Sequence, residues 1–588
     1  MSEEIFVLIK PLSFSDRKFY SLLAAATLEM TVDYLVRLSD NIIAGNMLGE
    51  DALAGIGLVS PVMSVLSFLA VMASVGTSLC YVRAVGSFER ERAHGFFSQG
   101  IVLAFLFGTL LCAVSFPAQN MLFGSLGAQA ESIAVYAQDY YRFYRLSMFV
   151  FPLSYVLAAF VFADGDETLC MVANIAPICV NIVCSIVLCH FMGIAGIALA
   201  SGIGSLSAAA VLSLHFFKKS NSLRFVWHFS FRECLLCLSY SLVDSALQLF
   251  WAVLIFALNA FIVRFFDAQT LVLMALAVNL LELGSLFDGI GSAMQPLVGT
   301  FFGEKNWRGV KSLMHTAEKT ALLEGIALSV FVLIFAPLLV RAFGITDASL
   351  TVRGVQVFRI MSVSMACTAF TFLFSSYYLL TDRVPLAVGI VGVKECVCPI
   401  VLAIGCALCM RTETGLWIGL ALAPAAGVIL PALFVRLRYG RAQFPLLLDE
   451  SASEIYCYDF ELTPENAVST AKTAGQAVCA AVDEKTNMKI QVLIEELGLL
   501  ILEKNGGLDK TKPGKKIHAE CTLMIEPDAV RIILRDSGII FDITDADARV
   551  SSFRQFFVAS VMERQRFKAY LTTTGYNRNE FSFPREER

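Results

Sequence analysis

Carboxylates set inside long apolar runs are costly, and this 588-residue sequence places several there. Within residues 19–44 lie Glu29, Asp33, Arg37 and Asp40. Asp33 and Asp40 are two helical turns apart with Arg37 between them, so a helix would carry all three on one face. Ionisable groups at membrane depth mark ion or substrate pathways by default. The chemistry implied is reversible capture of a proton or cation by a carboxylate, with Arg37 able to keep a carboxylate ionised. The plainer alternative, an ion pair that satisfies itself, weighs more heavily on Asp33 than on Asp40. Asn181 and Ser185, one turn apart, would add neutral oxygen ligands. Farther along, Asp244, Glu282, Asp288, Lys394 and Glu395 are also unusual at such depth. Lys394 and Glu395 are neighbours, about 100° apart on a helix, so at least one is expected to find its partner on another helix. Arg142 and Arg145 read as interhelical packing.

The elements that position these residues follow from composition. Hydrophobic residues make up 57% of the chain and charged ones 16%, and the mean hydropathy is +0.69. Soluble domains carry about 25% charged residues. Apolar stretches long enough to span a bilayer fall near 19–44, 52–80, 95–116, 133–160, 168–190, 193–216, 235–263, 270–299, 315–343, 352–379, 384–408 and 414–437, which predicts twelve helices. Lys and Arg crowd alternate joints, for example Arg83, Arg90 and Arg92, Lys218 and Lys219, and Lys305 and Arg308. The positive-inside rule then places both termini in the cytoplasm. The halves look related at an offset near 217 residues: Gly86 matches Gly303, and Tyr141–Phe143 matches Phe358–Ile360. Two repeats of the same topology predict two pseudo-symmetric lobes with a path between them. The expected division is a six-helix lobe over 1–216, a linker over 217–234, a second lobe over 235–440 and a soluble domain over 446–588. The C-x-x-C pairs Cys234/Cys237 and Cys406/Cys409 lie in or beside apolar helices and read as packing residues, so neither a metal site nor structural disulfides are expected. The net charge of −5 leaves no nucleic-acid footprint.

The stretch LSDNIIAGNMLGEDALAGIGLVSP at 38–61 resembles the first-helix signature of multidrug and toxin extrusion (MATE) transporters. GTSLCYVRAVGSFERERAH and GSAMQPLVGTFFGEKNW resemble that family's two cytoplasmic interhelical motifs. ADGDETLCMVANIAPICVNIV is similar to its junction between the fourth and fifth helices. The resemblance runs in order over about 15–437. It implies two six-helix lobes about a central cavity and export of cationic or amphipathic compounds, driven by Na⁺ or H⁺ flowing inward. It implies that Asp40 is the coupling aspartate and that Asn181 is the asparagine of an N-x-x-x-D motif. Ser185 stands where that motif has its aspartate, which puts the coupling ion in question. Asn259 holds the pseudo-equivalent position of Asp40 in the second half, where an acid is absent.

The tail reads differently. Two helices near 463–480 and 484–504, then strands near 516–526, 529–536, 567–574 and 579–583, predict a two-layer α/β sandwich. LRDSGIIFD at 534–542 resembles the adenine-binding box of Bergerat-fold ATPases of the anti-sigma-factor serine kinase type, and IEELGLLILEKNG at 494–506 resembles their metal-binding helix. The resemblance implies nucleotide contacts at Glu496, Asp536 and Gly538. Leu500, however, takes the place of the metal-binding Asn, and RVSSFRQFFVASV at 549–561 lacks the glycines of a phosphate lid. Phosphoryl transfer is therefore not expected. An inactive regulatory domain, meeting a cytoplasmic protein, is preferred over one that still binds ATP.

The expectation is thus an all-α polytopic membrane protein of the plasma membrane with a cytoplasmic tail. It is not an enzyme. Its partners would be the bilayer and small organic cations or amphipathic drugs. Two alternatives stand beside it: a flippase for a lipid-linked precursor, using cationic residues such as Arg37, Arg142 and Lys394, and a membrane-tethered signalling kinase.

Overall fold

The computed structural model describes residues 13–86, 90–123, 131–164, 166–218, 221–227, 230–381, 383–440, 444–448, 454–506, 516–539, 554–558, 568–571 and 577–585. Along helices, the side chains of Glu29, Asp33, Arg37 and Asp244 lie outside the described residues. Contacts divide the chain into two compact units. One comprises 25–291 and 318–438; the other comprises 1–24, 292–317 and 439–588.

The larger unit is helical throughout. The first half of the chain forms α1 (Phe14–Leu48), α2 (Glu50–Gly86), α3 (Arg90–Phe123), α4 (Glu131–Ala163), α5 (Glu167–Met192) and α6 (Ile194–Ser213). The second forms α7 (Phe231–Phe265), α8 (Ala268–Leu283), α9 (Asp288–Gly303), α10 (Trp307–Ala342), α11 (Ala348–Ser362), α12 (Met365–Leu380), α13 (Val384–Gly392), α14 (Cys398–Met410) and α15 (Glu413–Tyr439). The start of α1, most of α9 and the start of α10 belong to the smaller unit. A 3-10 turn, Gly284–Phe287, joins α8 to α9, and a π-helical turn, Val393–Val397, joins α13 to α14. Among the described residues, ten helices are long and apolar enough to cross a membrane, or eleven if α11 and α12, bent by 47°, form one span. That is one or two fewer than the twelve expected; α1, several of whose side chains lie outside the described residues, is not among them. The outer faces of these helices carry large exposed apolar side chains such as Phe191, Leu338 and Leu433, the surface a lipid solvent permits.

Short polar side chains set the helix starts. The Asp166 carboxylate accepts from Leu169 N at 3.3 Å, Asp267 from Thr270 N at 2.9 Å and Asp347 from Leu350 N at 2.7 Å, each capping an orphan donor. Close approach of the helices depends on glycines, among them Gly76 and Gly344. A Cβ on Gly76 of α2 would stand 1.8 Å from the carbonyl oxygen of Cys237 on α7. Gly344, at φ +78°, presses against the Gly45 carbonyl at the end of α1. Beside it, Asn46 Nδ2 donates to the Ala342 carbonyl at 2.7 Å, so the end of α1 is fastened to the end of α10. The acidic 164–168 joint encloses a fully buried His215, whose ring nitrogens lie 2.8 Å from Asp164 Oδ2 and 2.9 Å from Asp166 Oδ2. Hydrogen bonds from Ser222, His215 and Tyr81 hold the Asp164 carboxyl below its ordinary range despite its burial, and Lys218 and His215 lower Asp166 to about 2.

In the smaller unit, β1 (Glu454–Glu461), β2 (His518–Ile525), β3 (Ala529–Asp536), β4 (Lys568–Leu571) and β5 (Asn577–Pro584) form an antiparallel sheet in the order β1-β2-β3-β5-β4. Helices α16 (Pro464–Val478) and α17 (Glu484–Lys504) share its core. Ala471, Leu497 and Ile501 pack with Cys521, Leu523, Ile532, Leu534 and Phe581. The sequence had suggested no strand at 454–461, although EIYCYDFE alternates; β1 is a correction. The opposite strand parity carries Glu520 and Thr522, Arg531 and Arg535, and Arg578 and Glu580. One face of the sheet is apolar and the other is charged.

Candidate functional site

Asp40 sits near the end of α1. Ser185 Oγ on α5 donates to its Oδ1 at 3.0 Å, and Ser201 Oγ on α6 donates to its Oδ2 at 2.9 Å. Asn181, one turn before Ser185, brings its Nδ2 to 3.5 Å from Ser201 Oγ. Its other polar atom, Oδ1, is buried and has no hydrogen-bond partner among the described residues. Asn181 and Ser185 are buried, while Asp40 keeps partial exposure. Tyr140 and Tyr144 of α4 stack at 5.7 Å and lie close enough to sense the Asp40 charge. The first half therefore gathers one carboxylate, two hydroxyl oxygens and an unused amide oxygen, an oxygen-rich set suited to a hard cation or a proton.

Asp40, Asn181 and Ser185, singled out in the sequence, lie together in the structure. The sequence reading missed Ser201, which closes the carboxylate from the other side. Next to Asp40, Asn41 Nδ2 donates to Asn279 Oδ1 on α8 at 2.7 Å, and Tyr34 OH donates to the Asn279 carbonyl at 3.1 Å. These bonds tie α1 to the second half. Asn259 lies elsewhere: its Nδ2 donates to the Gly57 carbonyl at 3.3 Å, fastening α7 to α2. Arg145 bonds Ser115 and Gln119 across α3 and α4, at 3.0 and 2.9 Å.

Glu395 belongs to a second cluster. Lys394 Nζ stands 2.5 Å from Glu395 Oε1 and 3.2 Å from the centroid of the Phe372 ring, with Asp288 near enough to interact electrostatically. The expectation that these sequence neighbours could not meet is corrected. They occupy the π-helical turn, which alters the angular step, and their long side chains curl toward each other across it.

In the tail, Asp536 ends β3 on the apolar face. Its Oδ1 accepts from Gly538 N and Asn577 Nδ2, both at 2.9 Å. Asp536 Oδ2 and Asn577 Oδ1 are buried without a partner among the described residues, and burial raises the Asp536 carboxyl to about 6. Glu496 is engaged by Arg554, at 2.7 Å, which also reaches Glu503 at 3.2 Å. Leu500 is fully buried in the core. Of the 549–561 stretch, only 554–558 lie among the described residues, as a short helical turn.

Two sets of helices, each carrying polar groups in its interior, define a polytopic transporter fold. The family model MatE matches the chain twice, over residues 25–187 and 245–404, and the chain belongs to that family. The double match, one copy in each half, accords with the internal repeat. Among solved structures, the inward-facing conformation of a multidrug resistance MATE family transporter of the MOP superfamily is 21% identical. The match covers 71% of this chain and 97% of that one, with a TM-score of 0.65. The outward-facing conformation of such a transporter is 22% identical over 72% of this chain and 96% of that one, TM-score 0.58. A MOP superfamily transporter from Pyrococcus furiosus, described as having a binding pocket of reverse polarity, matches at 22% identity over 72% of this chain and 95% of that one, TM-score 0.58. No curated protein sequence matches the chain.

Proposed function

We propose that the chain is a secondary active exporter of cationic or amphipathic small molecules, driven by Na⁺ or H⁺ entering through the Asp40 site. The observation that carries this reading is the convergence of Ser185, Ser201 and Asn181 on a partly exposed carboxylate inside the helical unit. A proton would neutralise Asp40. A Na⁺ ion would use its carboxylate, the hydroxyl lone pairs and the unused Asn181 oxygen. With α1 and the bent α11–α12 pair each counted as one span, the spans number twelve, and both termini face the cytoplasm of a plasma-membrane protein. Asp33 and Arg37 precede Asp40 along the sequence of α1, and Glu395 lies in the second half with Lys394. The tail acts as a regulatory domain without phosphoryl transfer, in keeping with the Arg554 ion pair that occupies Glu496 and with Leu500 in the core.

The test is efflux of a cationic dye from cells under an imposed Na⁺ or proton gradient, wild type against Asp40→Asn. Gradient-driven efflux that disappears in the variant supports the assignment. Efflux indifferent to the substitution sinks it.

A further inference from the structure

The charged face of the tail sheet grips the ends of two transport helices. Glu304, in the turn between α9 and α10, is 2% exposed. Its carboxylate lies against the Arg535 guanidinium and 2.7 Å from Arg578 Nε, and Arg531 donates to its backbone carbonyl. Arg535, 1% exposed, lies 4.9 Å from the centroid of the Phe301 ring on α9 and also pairs with Glu520. Glu520 in turn accepts from Ser15 Oγ, in the first turn of α1, at 2.9 Å. Asp459 of β1 accepts from Phe14 N at 3.0 Å, satisfying an orphan donor at the start of α1. Asp16 accepts from Thr316 Oγ1 of α10 at 2.6 Å. One continuous run of contacts, Ser15–Glu520–Arg535–Glu304, thus passes from α1 through two sheet strands to the α9–α10 turn.

These two ends belong to different repeats. α1 opens the first half and the α9–α10 turn lies in the second, and alternating access moves one repeat against the other. A sheet is stiff across its ladder, so side chains on β2, β3 and β5 that hold both ends resist their separation. We propose that the tail is an intramolecular clamp: its charged sheet face fastens the start of α1 to the α9–α10 turn and slows the exchange between inward- and outward-open states. This deepens the regulatory role proposed above and rests on the two-repeat transporter reading. A structural staple alone would also bury these groups. The clamp differs in predicting that loosening the inner contact changes the distant outer one, where Asn46 meets Ala342 and Gly344 meets Gly45.

The experiment is hydrogen–deuterium exchange on the full chain in lipid nanodiscs, wild type against Glu304→Gln and Ser15→Ala. Dye efflux is measured separately on the same variants. Ser15→Ala removes one hydroxyl and serves if Glu304→Gln fails to fold. The expected result is about tenfold faster exchange in peptides covering 14–20 and 301–310, accompanied by faster exchange in those covering 45–50 and 342–348. Initial efflux should rise about threefold. Faster exchange at the inner ends with the outer peptides unchanged overturns the clamp, as does a tail contact that neither substitution loosens. If wild type exports no cationic dye, the transport reading fails, but the exchange result still judges the clamp.

Discussion

Replacing Glu304 by Ala should destabilise the tail far more than loss of an exposed rim contact such as that of Arg308. The substitution leaves Arg535 and Arg578, 1% and 13% exposed at their side chains, facing a vacated site. Removing one partner of a buried ion pair typically costs about 3–5 kcal/mol, because the remaining charge is left uncompensated. Arg535 keeps Glu520 and Arg578 keeps Glu580, at 2.7 Å, which argues for the lower end, about 3 kcal/mol. Arg308→Ala provides the contrast: this exposed side chain donates one bond, 3.0 Å, to the Ile455 carbonyl, and loss of such a rim contact costs about 0–1 kcal/mol. Urea unfolding of the tail in the full chain, held in nanodiscs and followed by tryptophan fluorescence near Trp307, should separate the two. With an m-value of about 2 kcal/mol/M, the midpoint should fall by about 1.5 M for Glu304→Ala and by under about 0.5 M for Arg308→Ala. Equal shifts for the two variants would refute the argument that buried charge, rather than contact number, holds this face.

Three further outcomes follow from the same physics. Burial raises the Asp536 carboxyl from 3.8 to about 6, so the folded tail takes up that proton more readily than the unfolded chain. Its stability should fall as pH rises from about 4 to about 6 and then level off. Asp536→Asn, which keeps an oxygen for Gly538 and Asn577, should gain up to about 3 kcal/mol at pH 7.5; the part due to Asp459, also raised to about 6 by burial and Glu520, persists. Lys394→Met should lower the thermal midpoint of the detergent-solubilised protein by leaving Glu395 buried and unpaired. Lys394→Met with Glu395→Met should recover most of that loss, and a double variant no better than the single would contradict the pairing. His215→Ala leaves two carboxylates, at 6% and 11% side-chain exposure, facing each other. The thermal midpoint should drop by several degrees, whereas Lys218→Ala, at an exposed pair, should change it little.

Much of the helical unit was legible because the hydrocarbon requirement writes itself as long apolar runs; three of the expected stretches, 270–299, 352–379 and 384–408, are each two helices joined by a turn, which hydropathy does not reveal. Asp40 was singled out because a carboxylate at such depth is costly, and Asn181 and Ser185 by their one-turn spacing and the family resemblance. Ser201 was not: a serine in a small-residue helix reads as packing until the fold brings it to a carboxylate. The Lys394–Glu395 pair was misread because regular helical geometry was assumed where a π-turn intervenes. Asn259 illustrates the limit of pseudo-symmetry, since the equivalent position serves as a link to the Gly57 carbonyl. In the tail, the alternation in β3 was readable. What lay opposite Arg531 and Arg535 was not, because Glu304 comes from a turn more than two hundred residues earlier.

The central claim is that Asp40 couples ion entry to export. Purified chain in proteoliposomes containing a Na⁺ or pH reporter should move one of these ions against the direction of ethidium transport. Asp40→Asn should reduce both fluxes together by about a hundredfold or more, while Asn259→Ala leaves their ratio unchanged. Ion and dye fluxes that persist undiminished in Asp40→Asn, or a dye flux that never moves either ion in wild type, would contradict it.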